Sequence, residues 1–166
     1  MGTRVLMAHN LEVVDVPTLD GYEPLLMSTK DILDIYWGKC QLLLQRAVDE
    51  AMHGEMTTDD IYAGIVSGQF FCFILKDDTG EEPNVAVIII LEAVRYPQFT
   101  AMNIVIIGGR ATDFFNSKFW QHVRSWAYMN GVQKFEALVS PAMERASAKF
   151  GFRPMYALVR MDLSED

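Results

Sequence analysis

Five consecutive residues, Gly108-Gly109-Arg110-Ala111-Thr112, carry the clearest chemical possibility in this sequence. They follow an apolar run that reads as a strand and precede a run with helical periodicity. A glycine turn that opens a helix presents backbone N–H groups to an anion, and the helix dipole favours negative charge at that end. On that chemistry Arg110 is a phosphate ligand and Thr112 a hydroxyl donor. The plain alternative is that Gly108 and Gly109 only turn the chain tightly while Arg110 lies on the surface, and it is favoured because short Gly-Gly turns are common.

The remaining reactive types are dispersed. His9, His53 and His122 share no spacing that suggests a metal pair. His53 precedes Gly54 at a helix end and suits the dipole there, while His122 lies beside an apolar stripe as a packed histidine. Cys40 and Cys72 sit among apolar neighbours, as buried thiols in a reducing compartment do, with no disulfide framework or zinc site expected. The 10 methionines are spread along the chain and read as core fillers.

Composition narrows the class. With 166 residues, 51% apolar and 22% charged, the sequence suits one domain over 1–166 with a real core. A net charge of −8 without any basic run excludes a phosphate-backbone reader, so no nucleic acid is expected. Val85 to Leu91 is the longest apolar run and far too short to span a bilayer, and no signal peptide is read at the N-terminus. A soluble, non-secreted protein is expected.

These residues need elements to position them. Leu11 to Val16, closed by Pro17, reads as a first strand, with a connection through Asp20-Gly21-Tyr22-Glu23-Pro24. A helix is expected from Asp31 to Met52 with Ile32, Ile35, Tyr36, Leu43, Ala47 and Ala51 on one face, bent or split at Gly38. Thr57 and Asp60 have capping-box spacing for a short helix that ends near Ser67-Gly68. Strands follow at Phe70–Leu75, Val85–Leu91 and Met102–Ile107, the second apolar enough to be covered on both faces. A helix capped by Thr112 or Asp113 carries Phe115, Phe119, Val123 and Trp126 and stops at Asn130-Gly131. Lys134–Val139 is a short strand, Ser140-Pro141 starts a helix ended by Gly151, and Met155–Leu163 alternates weakly and closes the sheet.

From Leu11 to Leu163 this order of elements resembles the GNAT family of N-acyltransferases. Trp126-Ala127 before Gly131, then Glu136, Ala146, Lys149 and Phe150-Gly151-Phe152, are similar to the family's WA…G, E, A and K-x-G-F. The sequence looks most like the divergent GNAT-like proteins of short-tailed bacteriophages and prophages. Their HGE-x-T-x-x-D-I stretch and Gly-Gly-Arg are similar to His53 through Ile61 and to Gly108-Gly109-Arg110. The resemblance implies an α/β (α+β) fold, with a central mixed, mostly antiparallel sheet of six strands flanked by four helices.

The same resemblance implies acetyl-CoA as cofactor, held at Gly108, Gly109, Arg110, Ala111 and Thr112. Counted from Arg110, however, Asp113 and Phe115 stand where the family has small residues, and a carboxylate there repels phosphates. Transfer needs a base and an acid. The family's acidic tyrosine corresponds to Ser147, a poor acid, and Asn103 on the fourth strand cannot act as base. Glu92, Glu136 and, as a displaced acid, Tyr156 are the catalytic candidates, each set against a bland role as a solvated or hydrogen-bonded residue. Two functions follow. The one placed first is a catalytically degenerate, virion-associated or assembly protein with virion or host protein partners, found in the virion or host cytoplasm. The alternative is an active acetyl-CoA-dependent N-acyltransferase with a divergent pyrophosphate loop.

Overall fold

The computed structural model describes residues 22–109 and 118–164. The expected Leu11–Val16 strand, the helix caps Thr112 and Asp113, and the candidates Arg110, Ala111 and Thr112 lie outside the described residues. Within them the chain runs β1 (Glu23–Leu26), α1 (Lys30–Ala51), α2 (Thr58–Ser67), β2 (Phe71–Asp77), β3 (Asn84–Arg95), β4 (Thr100–Gly109), α3 (Lys118–Met129), β5 (Lys134–Ala137) and α4 (Pro141–Ala148). The strands form one sheet in the order β1-β2-β3-β4-β5, antiparallel except for the parallel pair β4/β5. This is an α+β arrangement with a five-stranded mixed sheet and four helices among the described residues.

β3 explains the layering. Every residue from Val85 to Leu91 is buried, because the sheet is covered on both sides. Ile88 and Ile90 join the cluster under α1 and α2, while Ile89 and Leu91 join the cluster under α3. Each such side chain contributes about 1.5–3 kcal/mol by leaving water, which makes β3 the centre of the fold. Among the described residues no helix is long and apolar enough to cross a membrane.

Three sequence expectations change. α1 is one helix, not split at Gly38, because Leu33, Tyr36, Cys40 and Leu44 anchor it on both sides of that residue. Its buried stripe is therefore rotated from the expected one, and Ile35 is 61% exposed. Glu23-Pro24, read as a connection, belongs to β1, an edge strand where a proline without an N–H is tolerated. Met155–Leu163 forms no strand: no backbone bond ties it to the sheet among the described residues, and β-patterning specifies a strand only where an edge accepts its backbone groups.

Local signals hold where they are self-contained. The Thr57 hydroxyl accepts from Asp60 N at 3.2 Å while the Asp60 carboxylate accepts from Thr57 N at 2.9 Å, a complete capping box. Ser140 caps α4 with Pro141 in its first turn. Thr57→Ala is expected to cost about 1 kcal/mol, read as a lowered urea midpoint with an unchanged slope.

Candidate functional site

Tyr96 N–H donates to Phe99 O in the β3–β4 turn, and this sets the pairing of Arg95 with Thr100, Glu92 with Asn103 and Leu91 with Ile104. Asn103 in turn pairs with Glu136 on β5. Directly opposed residues share a face, so Glu92, Asn103 and Glu136 form a row across three adjacent strands. Their neighbours Leu91, Met102, Ile104, Phe135 and Ala137 pack toward α3, which puts the row on the opposite face, the one that carries α1 and α2. All three are half-buried. Two of the sequence-read candidates, Glu92 and Glu136, are thus brought together, about 9.6 Å apart as two strand spacings.

Both carboxylates are held. Gln69, just after α2, donates from Nε2 to Glu92 Oε2 at 2.9 Å. The Tyr96 hydroxyl donates to Glu136 Oε1 at 2.8 Å. That bond raises the Tyr96 pKa, and the Tyr156 phenol close by acts in the same direction. Tyr156 is 95% exposed. Tyr96, Gln69 and Asn103 were not singled out as site residues from sequence. The one available signal was the symmetry of a hairpin turned at Pro97-Gln98, which places position 92 against 103.

Beyond this row β4 changes course. Ile90 pairs with Ile106 but Leu91 pairs with Ile104, so Val105 is an extra residue, a β-bulge. A bulge bends its strand and increases the local twist. The last β4/β5 pair is Ile104 with Ala137, immediately before the bulge. From Val105 to Gly109 β4 has no β5 partner among the described residues, and the departing chain exposes Leu138 at 74%. The two parallel strands therefore part at the bulge, with Glu136 one residue before the opening.

The glycines end the parted stretch. A Cβ on Gly108 would lie 3.0 Å from both the Leu43 carbonyl oxygen of α1 and Ile88 Cγ2. A Cβ on Gly109, at φ +92°, would lie 2.2 Å from Ala86 O on β3. Each glycine thus has a packing reason independent of any ligand. The N–H groups that follow belong to Arg110, Ala111 and Thr112, outside the described residues.

With this geometry in place the chain can be set beside known proteins. No family model matches it, and no curated protein does. Solved structures do. A probable acetyltransferase superposes with TM-score 0.61 at 11% identity, over 87% of this chain and 99% of the other. A predicted acetyltransferase with acetyl-CoA from Clostridium acetobutylicum gives 0.57 at 10% identity, over 85% and 96%. Glucosamine-6-phosphate N-acetyltransferase from Arabidopsis thaliana gives 0.58 at 11% identity, over 86% and 99%. The chain has the GNAT acetyltransferase fold.

Within the GNAT fold Ser147 stands where the sequence resemblance expected a tyrosine. It is buried, and its hydroxyl donates to Glu144 O at 3.2 Å, a local bond inside α4. It is spent on the helix. On the far side of the site the Glu55 carboxylate, between α1 and α2, takes the Arg160 guanidinium at 2.8 Å and the His53 N–H. The Arg160 bond, with the backbone N–H groups of Glu55 itself and of His53, holds the Glu55 carboxyl down to about 2. His122 is exposed but stands edge-on to Phe73 at 6.0 Å, where partial desolvation lowers its pKa, and Cys40 and Cys72 are both buried thiols, Cys40 pushed up to about 12.

Proposed function

We propose that this protein is an acyl-CoA-dependent N-acyltransferase in which Glu136 is the base. The observation that carries this reading is one coincidence: the bulge at Val105, the parting of β4 from β5 after Ile104–Ala137, and a tethered carboxylate one residue from that opening. The solved neighbours described as acetyltransferases support it.

The residues present fit the pantetheine arm of the cofactor better than its pyrophosphate. Among the described residues the parted edge Val105–Gly109 has no strand on its β5 side, and its backbone N–H and C=O groups there suit an amide-bearing chain. Gly108 and Gly109, by contrast, are filled in by α1 and β3, so anion binding falls to Arg110, Ala111 and Thr112. Acetyl-CoA supplies an activated acyl thioester when bound. Glu136 accepts the proton that the acceptor amine loses as its nitrogen forms the new C–N bond. Tyr156 gives its phenolic proton to the leaving sulfur, and Glu92 draws a cationic acceptor to the same face of the sheet.

Calorimetric titration with acetyl-CoA is expected to give binding in the micromolar range, roughly −8 kcal/mol. Arg110→Ala is expected to weaken it by about 2 kcal/mol, the scale of one charge-assisted hydrogen bond. No heat up to millimolar cofactor would overturn the reading.

A second reading is favoured by Ser147, whose hydroxyl is committed to the α4 backbone, and by the exposed apolar segment after it. Here the framework is kept and transfer is lost. The resemblance to GNAT-like proteins of short-tailed phages then points to a virion-associated or assembly role with protein partners. It expects no acetyl-CoA binding and a fixed copy number in purified particles, and absence from particles removes it.

A further inference from the structure

The turn between β3 and β4 grips β5 as well as joining its own two strands. Tyr96 and Phe99 flank the two-residue connection Pro97-Gln98 and close it through the bond from Tyr96 N–H to Phe99 O at 2.9 Å. Pro97 fixes a backbone angle of that connection, which stiffens it. The two rings meet above the turn, with centroids 4.9 Å apart and planes tilted by 46°. Both then reach across β4. The Tyr96 hydroxyl donates to Glu136 Oε1 at 2.8 Å, and the Lys134 ammonium lies over the Phe99 ring, 4.2 Å from its centroid. Lys134 and Glu136 are two positions apart on β5 and so share a face. Gln133 fastens the same corner: its N–H donates to Thr100 O at 2.9 Å, and Thr100 N–H donates to Gln133 Oε1 at 3.2 Å.

A glutamate on a half-buried strand face has three side-chain torsions to fix, and the strand itself fixes none of the outer two. Among the described residues, Tyr96 makes the one hydrogen bond that reaches the Glu136 carboxylate. That bond occupies Oε1 and leaves Oε2 to receive a proton. Tyr96 is in turn held by its backbone bond and by Phe99, so the rigidity of the turn is passed to the carboxylate. Such a tether matters for chemistry, because displacing a reacting group by about 1 Å can cost on the order of a hundredfold in rate. We infer that Tyr96 is the positioning residue of this site, holding Glu136 through Oε1 so that Oε2 takes the acceptor's proton, a role that rests on the acyltransferase reading. As the amine N–H bond breaks, its electron pair stays on the nitrogen that forms the new C–N bond, and the proton ends on Oε2.

Tyr96→Phe keeps the ring against Phe99 and removes only the hydroxyl, so the variant should fold. Its kcat is expected to fall about tenfold while acetyl-CoA affinity is unchanged. Added to Glu136→Gln it should cost nothing further, because the group that it positions is already gone. Losses that multiply in the double variant, or an unchanged kcat in Tyr96→Phe, would overturn the inference. A second readout needs no turnover. The bond to Glu136, with burial and the charge of that carboxylate, raises the Tyr96 phenol above an ordinary tyrosine. In protein labelled with carbon-13 at tyrosine Cζ, the Tyr96 signal is identified among the 6 tyrosines by its loss in Tyr96→Phe. It is expected to titrate late in the wild type and to fall back in Glu136→Gln. A Tyr96 signal that Glu136→Gln leaves unmoved would overturn the tether itself. A wild-type protein that transfers nothing yet shows the shifted signal would remove the acyltransferase reading and support the tether alone.

Discussion

Gly109→Ala is expected to be among the most destabilising single changes in this protein, by about 4 kcal/mol, the sum of left-handed backbone strain and forced displacement of a packed strand. The new Cβ would sit 2.2 Å from Ala86 O, at a φ of +92° that side chains rarely adopt. Neither atom can yield cheaply: Ala86 lies on the fully buried run of β3, and Gly109 pairs with Val87 beside it. Thermal unfolding should fall by roughly 12 °C for a chain of this size. Gly38→Ala supplies the opposite sign. Gly38 is exposed within α1, a Cβ there meets nothing within 4 Å, and alanine should stabilise the helix by about 0.5–1 kcal/mol. A Gly109→Ala protein as stable as wild type would mean that β3 and β4 do not approach this closely.

The comparison also separates the two readings of the glycine turn. If Gly108 and Gly109 serve packing, their replacement lowers stability equally with and without acetyl-CoA, while Arg110→Ala changes cofactor affinity and leaves the melting temperature alone. The two phenotypes belong to adjacent residues and different physics.

What could be read from sequence follows the range of the interactions involved. The Thr57–Asp60 and Ser140-Pro141 helix starts were legible because each is closed within four residues. The phase of α1 was not, since Ile32, Leu33, Ile35, Tyr36 and Trp37 crowd its first turns with apolar residues and only the sheet decides which face turns inward. β1 hid behind Pro24 because its strand character comes from its pairing with Phe73–Lys76 of β2. Glu92 and Glu136 were legible as residue types, but their meeting depends on two registers, and the Tyr96 tether depends on the turn between β3 and β4. The Glu55–Arg160 tie spans 105 positions and leaves no local trace. The segment 155–163 shows the same rule from the other side: its pattern announced a strand, yet among the described residues it makes no strand pairing, although β5 ends the sheet.

Glu136→Gln is expected to lower kcat by about a hundredfold or more, the usual share of a general base, while the acetyl-CoA affinity stays at its wild-type value. The substitution keeps the shape of the side chain, and its amide oxygen can still accept the Tyr96 hydroxyl that holds Glu136 at 2.8 Å. Stability should therefore move by no more than about 0.5 kcal/mol, which removes misfolding as an explanation. Glu92→Gln makes the contrasting case. Glu92 lies on β3, with β4 between it and the opening, and is tethered by Gln69, so its loss should act through KM for a cationic acceptor and spare kcat. The split between the two carboxylates is the informative result. Equal kcat losses would make the row a shared electrostatic field with no single base, and a fully active Glu136→Gln protein would take Glu136 out of the mechanism. The acceptor's base would then have to be sought from the other side of the sheet, where Trp120 packs against Phe135 at 4.8 Å.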